Sequence, residues 1–280
     1  MKNIYDDLSS VSPLFLIGTP RSGTTLLHQI VNAHEEVFIT DELRQVSWLI
    51  NQAKMLTEGY HVHGSLYPFN HGPEFANYLI NNAGTLLAPY YYLHSDKYGK
   101  KKIKYWGDKY PNFDQYLGKM MKMFPRAKYV MIHRDLRDVM ASVKKGHQWT
   151  TDKTATYVCD IYKLYIHNIS RMAPVQCINI RYEDLVFNID TTSKKIFRYL
   201  GLSYDDHLFK KIIKISNIQS HSVRGKHNKS VKFNKSKATG KWKNFFDESE
   251  RDLIECELEA ISDELSKGNA LCDACDDIYS

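Results

Sequence analysis

The sequence predicts an α/β fold of three layers: a central, mostly parallel sheet with helices on both faces. Three observations carry that expectation. Short apolar runs such as Leu14–Ile17 and Lys128–His133 read as strands buried on both faces. Segments of helical period lie between such runs, so strand and helix alternate. A glycine loop, Gly18-Thr19-Pro20-Arg21-Ser22-Gly23, joins the first strand to the first helix. Residues 1–280 are expected to form one domain, because no internal repeat, Pro/Ser linker or low-complexity tract interrupts them.

The elements follow in order. Leu14–Ile17 is a strand, and Thr24 to about Ala33 a helix with Leu26, Leu27, Ile30 and Val31 on one face. Val37–Thr40 is a second strand, ending at Asp41-Glu42. Residues 45–105 lack the βα rhythm: Leu43–Met55 and Phe75–Leu87 read as helices, His61–Gly72 as a loop, and Tyr90-Tyr91-Tyr92 follows. This stretch is expected to be an acceptor-side insertion. The rhythm returns with a helix at Phe113–Phe124, a strand at Lys128–His133, helices at Leu136–Lys145 and Thr154–Met172, and a strand at Val175–Ile180. Thr191–Leu200 is a helix with Gly201 at its C-terminal stop. The last helix begins near Asp247, with Glu250 completing a capping box.

Composition sets outer bounds. In 280 residues, 43% are hydrophobic and 25% charged, which excludes disordered, collagenous and fibrous chains. No apolar run approaches the ~18 residues of a membrane span, and residues 1–12 show no signal peptide. Five cysteines, an uneven count, suggest reduced thiols and a cytoplasmic setting. The net charge of +6 is unevenly spread: residues 222–243 carry eight Lys/Arg and no acid, whereas 244–280 carry a net of −10. The basic body suggests an anionic partner, whether nucleic acid, nucleotide, or a sulfated or phosphorylated substrate.

The glycine loop has the G-x4-G frame that turns the backbone tightly and aims successive N–H groups at one anion. The helix after it adds its positive end. Nucleotide triphosphatases place Lys directly after the second glycine; here that position is Thr24, and the cation is Arg21 inside the loop. A guanidinium there suits a terminal phosphate gripped bidentately, without magnesium.

These residues carry a family resemblance. Pro20-Arg21-Ser22-Gly23-Thr24-Thr25 after an apolar strand resembles the 5′-phosphosulfate loop of sulfotransferases that use 3′-phosphoadenosine-5′-phosphosulfate (PAPS). Arg134 at the end of a strand, with Ser142 eight residues later on a helix, resembles that family's 3′-phosphate element. Gly240-Lys241-Trp242-Lys243-Asn244 is similar to the segment that closes over the cofactor, making 222–243 the expected lid. Lys235, Ser236 and Lys237 stand where cytosolic members carry Arg-Lys-Gly, and Arg181-Tyr182-Glu183-Asp184-Leu185 resembles a further family element. The resemblance implies a P-loop-like sulfotransferase fold, PAPS as cofactor with no metal required, and a cofactor site of Arg21, Ser22, Gly23, Thr24, Thr25, Arg134, Ser142, Tyr182, Lys235, Ser236, Lys237 and Trp242. Arg137 and Asp138 read instead as a solvated ion network at a helix start. Trp106 reads equally as core or as an adenine-stacking ring.

Sulfonate transfer needs an acceptor base, charge neutralisation at the leaving oxygen, and positioning. Glu42 is the expected base, because it follows the second strand at the sheet edge where ligands of α/β sheets collect; its spacing also resembles the tyrosylprotein sulfotransferases. Asp41, His34 and His133 are the other contenders. Lys109, in Trp106-Gly107-Asp108-Lys109-Tyr110-Pro111, resembles the lysine that assists the leaving group in that branch. Arg44 is placed to orient Glu42 or to meet an acidic acceptor. Arg21 joins Glu42 and Lys109 in the expected catalytic set.

The expected partner is an acceptor hydroxyl or amine on a peptide tyrosine, glycan or small metabolite, with neither nucleic acid nor membrane as partner and a monomer or homodimer as the assembly. A P-loop kinase and a basic nucleic-acid-binding module are the competing readings. Cys272-Asp273-Ala274-Cys275 has CxxC spacing but no second ligand pair, and His61, His63 and His71 read as polar loop residues.

Overall fold

The computed structural model describes residues 11–62, 65–67, 71–100, 102–111, 113–173, 175–216, 218–220, 230–232 and 238–267. Strand β1 (Ser12–Gly18) lies at the centre of a five-stranded sheet. Its Leu14, Phe15, Leu16 and Ile17 are wholly buried, as a strand covered on both faces requires. Helix α1 (Thr24–Val31) and strand β2 (Val37–Asp41) follow. An excursion comes next: helix α2 (Gln45–Glu58), a hairpin of β3 (Tyr60–Val62) and β4 (Ser65–Tyr67), and helices α3 (Gly72–Asn81) and α4 (Ala83–Asp96).

The chain re-enters the sheet as β5 (Tyr105–Lys109) and passes through a 3-10 turn (Phe113–Tyr116) into α5 (Leu117–Met123). Then come β6 (Lys128–His133), α6 (Leu136–His147), α7 (Thr151–Ile169), β7 (Cys177–Arg181), and helices α8 (Tyr182–Phe187), α9 (Ile189–Leu200) and α10 (Asp206–Ser216). Strands β8 (Ile218–Ser220) and β9 (Ser230–Lys232) pair antiparallel. A 3-10 turn (Lys241–Asn244) leads into α11 (Glu248–Lys267).

The sheet runs β2-β5-β1-β6-β7, and every pairing in it is parallel. Alternate side chains of β1 feed two cores. Phe15 and Ile17 pack with α2, α4, α6 and α7, whereas Leu14 and Leu16 pack with α1, α9 and α10. The expected three layers are therefore present.

Strand β5 was absent from the sequence reading, and its composition explains why. Tyr105-Trp106-Gly107-Asp108-Lys109 ends in two charges yet is buried throughout. No alternation marks it, because its charged residues are buried with partners rather than turned outward. Gly107 is required there: a Cβ would stand 1.8 Å from the carbonyl oxygen of Leu14 on β1. The expected helix at Phe75–Leu87 is two helices meeting at Asn82, and α4 continues through Pro89 to carry the three tyrosines. Tyr91, fully buried, stacks on Trp106 with ring centroids 4.9 Å apart and anchors α4 past the proline. The region read as the loop His61–Gly72 contains the β3–β4 hairpin. At α11 the capping box forms as read: Asp247 Oδ1 accepts from the Glu250 N–H at 2.9 Å, and Glu250 Oε2 from the Asp247 N–H at 3.2 Å.

Candidate active site

Parallel strands put all their C-terminal ends on one edge. Register pairs Asp41 with Lys109, Lys109 with Leu16, Gly18 with Ile132, and His133 with Arg181. That edge therefore carries, in spatial order, Glu42, Lys109, the glycine loop, Arg134 and Tyr182.

The loop is built by local geometry. Gly23 has φ 99, a conformation that suits glycine, and a Cβ on it would lie 2.2 Å from the Tyr182 ring. Ser22 is fully buried and donates its hydroxyl to the Thr19 carbonyl at 2.6 Å, which fixes the turn. No side chain caps α1, so its first N–H groups, those of Thr24 and Thr25 among them, lack an intrahelical acceptor. Arg21 is exposed, with φ 72, and its Nε donates to Ser142 Oγ at 2.8 Å. Arg134 Nη1 donates to the Arg21 carbonyl at 3.3 Å, and its guanidinium lies 4.6 Å from the centre of the Tyr182 ring. The structure thus brings together Arg21, Ser22, Gly23, Thr24, Thr25, Arg134, Ser142 and Tyr182.

This cradle fits an anionic nucleotide. Arg134 is 9% exposed, and its Nε is buried with no acceptor among the described residues. A buried guanidinium N–H left unpaired is costly, and an anion would satisfy it.

The closing segment is tied to the cradle by Asp138. Its carboxylate accepts from the N–H of Gly240 at 2.8 Å and of Trp242 at 3.2 Å, and it lies 3.3 Å from Arg134. Asp138 is 1% exposed, so the expectation of a solvated ion there is corrected: its hydrogen-bond partners are main-chain groups a hundred residues away. Arg137 does form a partly exposed network, with Asp135 and Glu255. The Trp242 ring lies 4.4 Å from the Arg137 guanidinium and packs there. Lys241 was not singled out in the sequence. Burial foremost, and then the charges of Arg134, Lys145 and Arg21, lower its pKa against the raising pull of Asp138. Its place inside Gly240–Asn244 was the available signal. Lys235, Ser236 and Lys237 lie outside the described residues.

On the other side of the loop, Glu42 and Arg44 take left-handed backbone, with φ 58 and 64. Such conformations are uncommon in non-glycine residues. Asp108, wholly buried, holds them. Its carboxylate accepts from the N–H of Arg44 at 2.9 Å, the N–H of Leu43 at 3.3 Å and the Thr40 hydroxyl at 2.9 Å. Burial pushes the Asp108 carboxyl up to about 6. Lys109 is 2% exposed, with Nζ 2.5 Å from Asp41 and 3.0 Å from Glu42, so it is no surface lysine. Arg44 stacks on Tyr110 at 5.0 Å. Glu42 stands at the sheet edge, but β5, which the sequence did not mark, separates it from the glycine loop, and Lys109 fills the space between them.

Of the other contenders, Asp41 shares Lys109 with Glu42, whereas the two histidines lie apart. His34 sits at the foot of α1, bonded to the Ser203 carbonyl and the Glu36 N–H. His133 is buried at the β6 end, beside Asn179. Trp106, 1% exposed, is core, which removes it from adenine stacking. His71 is an exposed residue before α3, the side chain of His61 and the whole of His63 lie outside the described residues, and so do Cys272 and Cys275.

The chain is similar to several known proteins. The chain is 24% identical to protein-tyrosine sulfotransferase A of Caenorhabditis elegans, covering 78% of this chain and 59% of that protein. It is 22% identical to protein-tyrosine sulfotransferase 1 of Danio rerio, over 82% and 65% respectively. A protein of Aquifex aeolicus matches at 24% identity over 71% of this chain, which spans only 26% of that relative. Among solved structures, the sulfotransferase domain from the curacin biosynthetic pathway aligns over 89% of this chain and 98% of its own, at TM-score 0.52 and 17% identity. Mouse sulfotransferase SULT7A1 complexed with PAP aligns over 100% and 93%, at TM-score 0.52 and 12% identity. The Sulfotransferase family model matches residues 13–206, and the chain belongs to that family.

Proposed function

We propose that the protein transfers a sulfonate group from PAPS to an acceptor hydroxyl. The observation that carries this reading is the convergence of Arg21, Ser142 and Arg134 in one hydrogen-bonded cradle at the glycine loop, with Thr24 where a triphosphatase has lysine. When bound, PAPS supplies an activated sulfonate and a phosphate leaving group.

The α1 amides, Arg21 and the buried Ser22 turn hold the 5′ end. Arg134 and Ser142 hold the 3′-phosphate, and Tyr182 walls the pocket. Trp242 acts in the closing segment, and Lys235, Ser236 and Lys237 complete the 3′ contacts. Glu42, 41% exposed, receives the acceptor proton. Lys109 stands between Glu42 and the loop, where its ammonium steadies the base and neutralises charge on the departing oxygen. The excursion between β2 and β5 contributes the acceptor side, with Arg44 and Tyr110 at its mouth. Kinship with protein-tyrosine sulfotransferases supports a peptide tyrosine as acceptor, beside glycans and small metabolites. Cys159 and Cys256 are free thiols among the described residues, which supports a reducing, cytoplasmic setting.

The test is ligand-induced stabilisation. Adenosine 3′,5′-bisphosphate at a hundred times its dissociation constant should add about 2.7 kcal/mol. ATP with Mg²⁺ and an oligonucleotide should not stabilise the chain. A radiolabelled-PAPS screen over phenols, peptides and oligosaccharides then reads the acceptor. Stabilisation by ATP with Mg²⁺ and not by the bisphosphate would refute the proposal.

A further inference from the structure

We infer that Asp138 is a positioning residue that clamps the Ala238–Trp242 turn onto the arginine cradle, and that selectivity for the nucleotide's 3′-phosphate depends on this clamp. The inference rests on the reading above and goes beyond it, since Asp138, inside the Arg134–Ser142 segment, reads from the sequence as a solvated ion with no part in phosphate binding.

The geometry has three parts. First, one buried carboxylate takes two main-chain N–H groups from the turn, those of Gly240 and Trp242. Second, the same Oδ2 that accepts from Gly240 lies 3.3 Å from Arg134 Nη2, and that Nη2 donates to the Ala238 carbonyl at 2.7 Å. Third, Arg134 Nη1 reaches the Arg21 carbonyl of the glycine loop. Asp138 therefore sets the position of one guanidinium against two separate segments.

Charge decides what this arrangement does. Lys241 enters the field of Arg21, Arg134 and Lys145 because the turn is docked. Bringing a fourth cation to such a place costs free energy unless an anion is shared. The Asp138 carboxylate offsets part of that repulsion and fixes the main chain on either side of Lys241. Arg134 Nε, buried with no acceptor among the described residues, is the donor an incoming phosphate would satisfy. Without the clamp, Arg134 loses its carboxylate partner and the turn its two acceptors. The group that suffers is the phosphate Arg134 binds; the 5′ end is held by the loop amides.

The experiment measures binding of adenosine 3′,5′-bisphosphate and of adenosine 5′-phosphate by calorimetry on the full chain. In the unaltered protein the bisphosphate binds tighter. In Asp138→Asn, which keeps the shape and loses the charge, the ratio of the two affinities should fall at least tenfold, with the 5′-phosphate affinity within threefold of its original value. A lowered melting temperature with an unchanged ratio overturns the inference, because a purely structural role predicts that result. Trypsin gives a second reading at Lys241 and Lys243: saturating bisphosphate should protect these sites in the unaltered chain and not in Asp138→Asn, and equal protection in both would overturn the clamp. If the unaltered chain shows no preference for the bisphosphate, the PAPS reading itself fails, and the inference with it, before any variant is made.

Discussion

Arg21 and Glu42 both follow strand ends in left-handed backbone, at φ 72 and φ 58, and each such residue stores about 1–3 kcal/mol. Their substitutions should separate. Arg21→Ala should weaken adenosine bisphosphate binding about tenfold to a hundredfold, the range of a charge-assisted hydrogen bond. Glu42→Gln should leave that affinity within threefold and lower turnover about a hundredfold or more; equal loss of binding in both would remove Glu42 as the base. Asp108 adds a pH dependence. Its folded value of about 6 lies above the ordinary 3.8, so the folded chain holds this proton more tightly than the unfolded one. Its contribution to stability is therefore greatest below pH about 4 and is lost as pH rises through about 6. Activity should run the other way, because the ionised carboxylate accepts best from the Leu43 and Arg44 amides: turnover should fall on acidification with a midpoint near 6, and Asp108→Asn should lack that limb. Arg21, Arg134 and Ser142 were legible in the sequence because loop chemistry and helical spacing fix them locally. Asp108 and Asp138 were not, because a carboxylate serving amides 64 or 102 positions away leaves no local mark.

Among the elements, β1, α1, β2 and β6 declare themselves through unbroken apolar runs or a clean helical face. Strand β5 does not, since its partners, rather than its pattern, bury Asp108 and Lys109. The price of reading past it was a site one strand too narrow. Gly107→Ala tests the element directly: a Cβ 1.8 Å from the Leu14 carbonyl forces β1 and β5 apart. Equilibrium unfolding should show a loss of about 3 kcal/mol or more, in the range of serious core disruptions. Gly23→Ala meets the Tyr182 ring at 2.2 Å instead. It should abolish bisphosphate binding at modest cost to stability, because it deforms a loop and leaves the sheet intact.

Across the molecule, the two edges of the sheet divide the labour. The C-terminal edge carries the proposed site, and the opposite edge is secured by polar cross-links. There Lys100 Nζ donates to the carbonyls of Asn32, His34 and Val37 and to Asn32 Oδ1, gathering the turn between α1 and β2. Burial, with Lys211 nearby, lowers this ammonium to about 7. Lys100→Met should cost about 2 kcal/mol in chemical denaturation, since several acceptors lose their donor together. Nucleotide affinity should hold within twofold, because the change lies at the far end of the strands.

The long detour between β2 and β5 leaves the sheet just after Asp41 and returns at Tyr105, on the neighbouring strand. Glu42 is its first residue, and Lys109 closes the strand on which it lands. An exchange of residues 45–104 with those of a relative would thus swap the proposed recognition surface like a tool bit in a fixed chuck, with the proposed proton acceptor and its ammonium companion left clamped in the jaws.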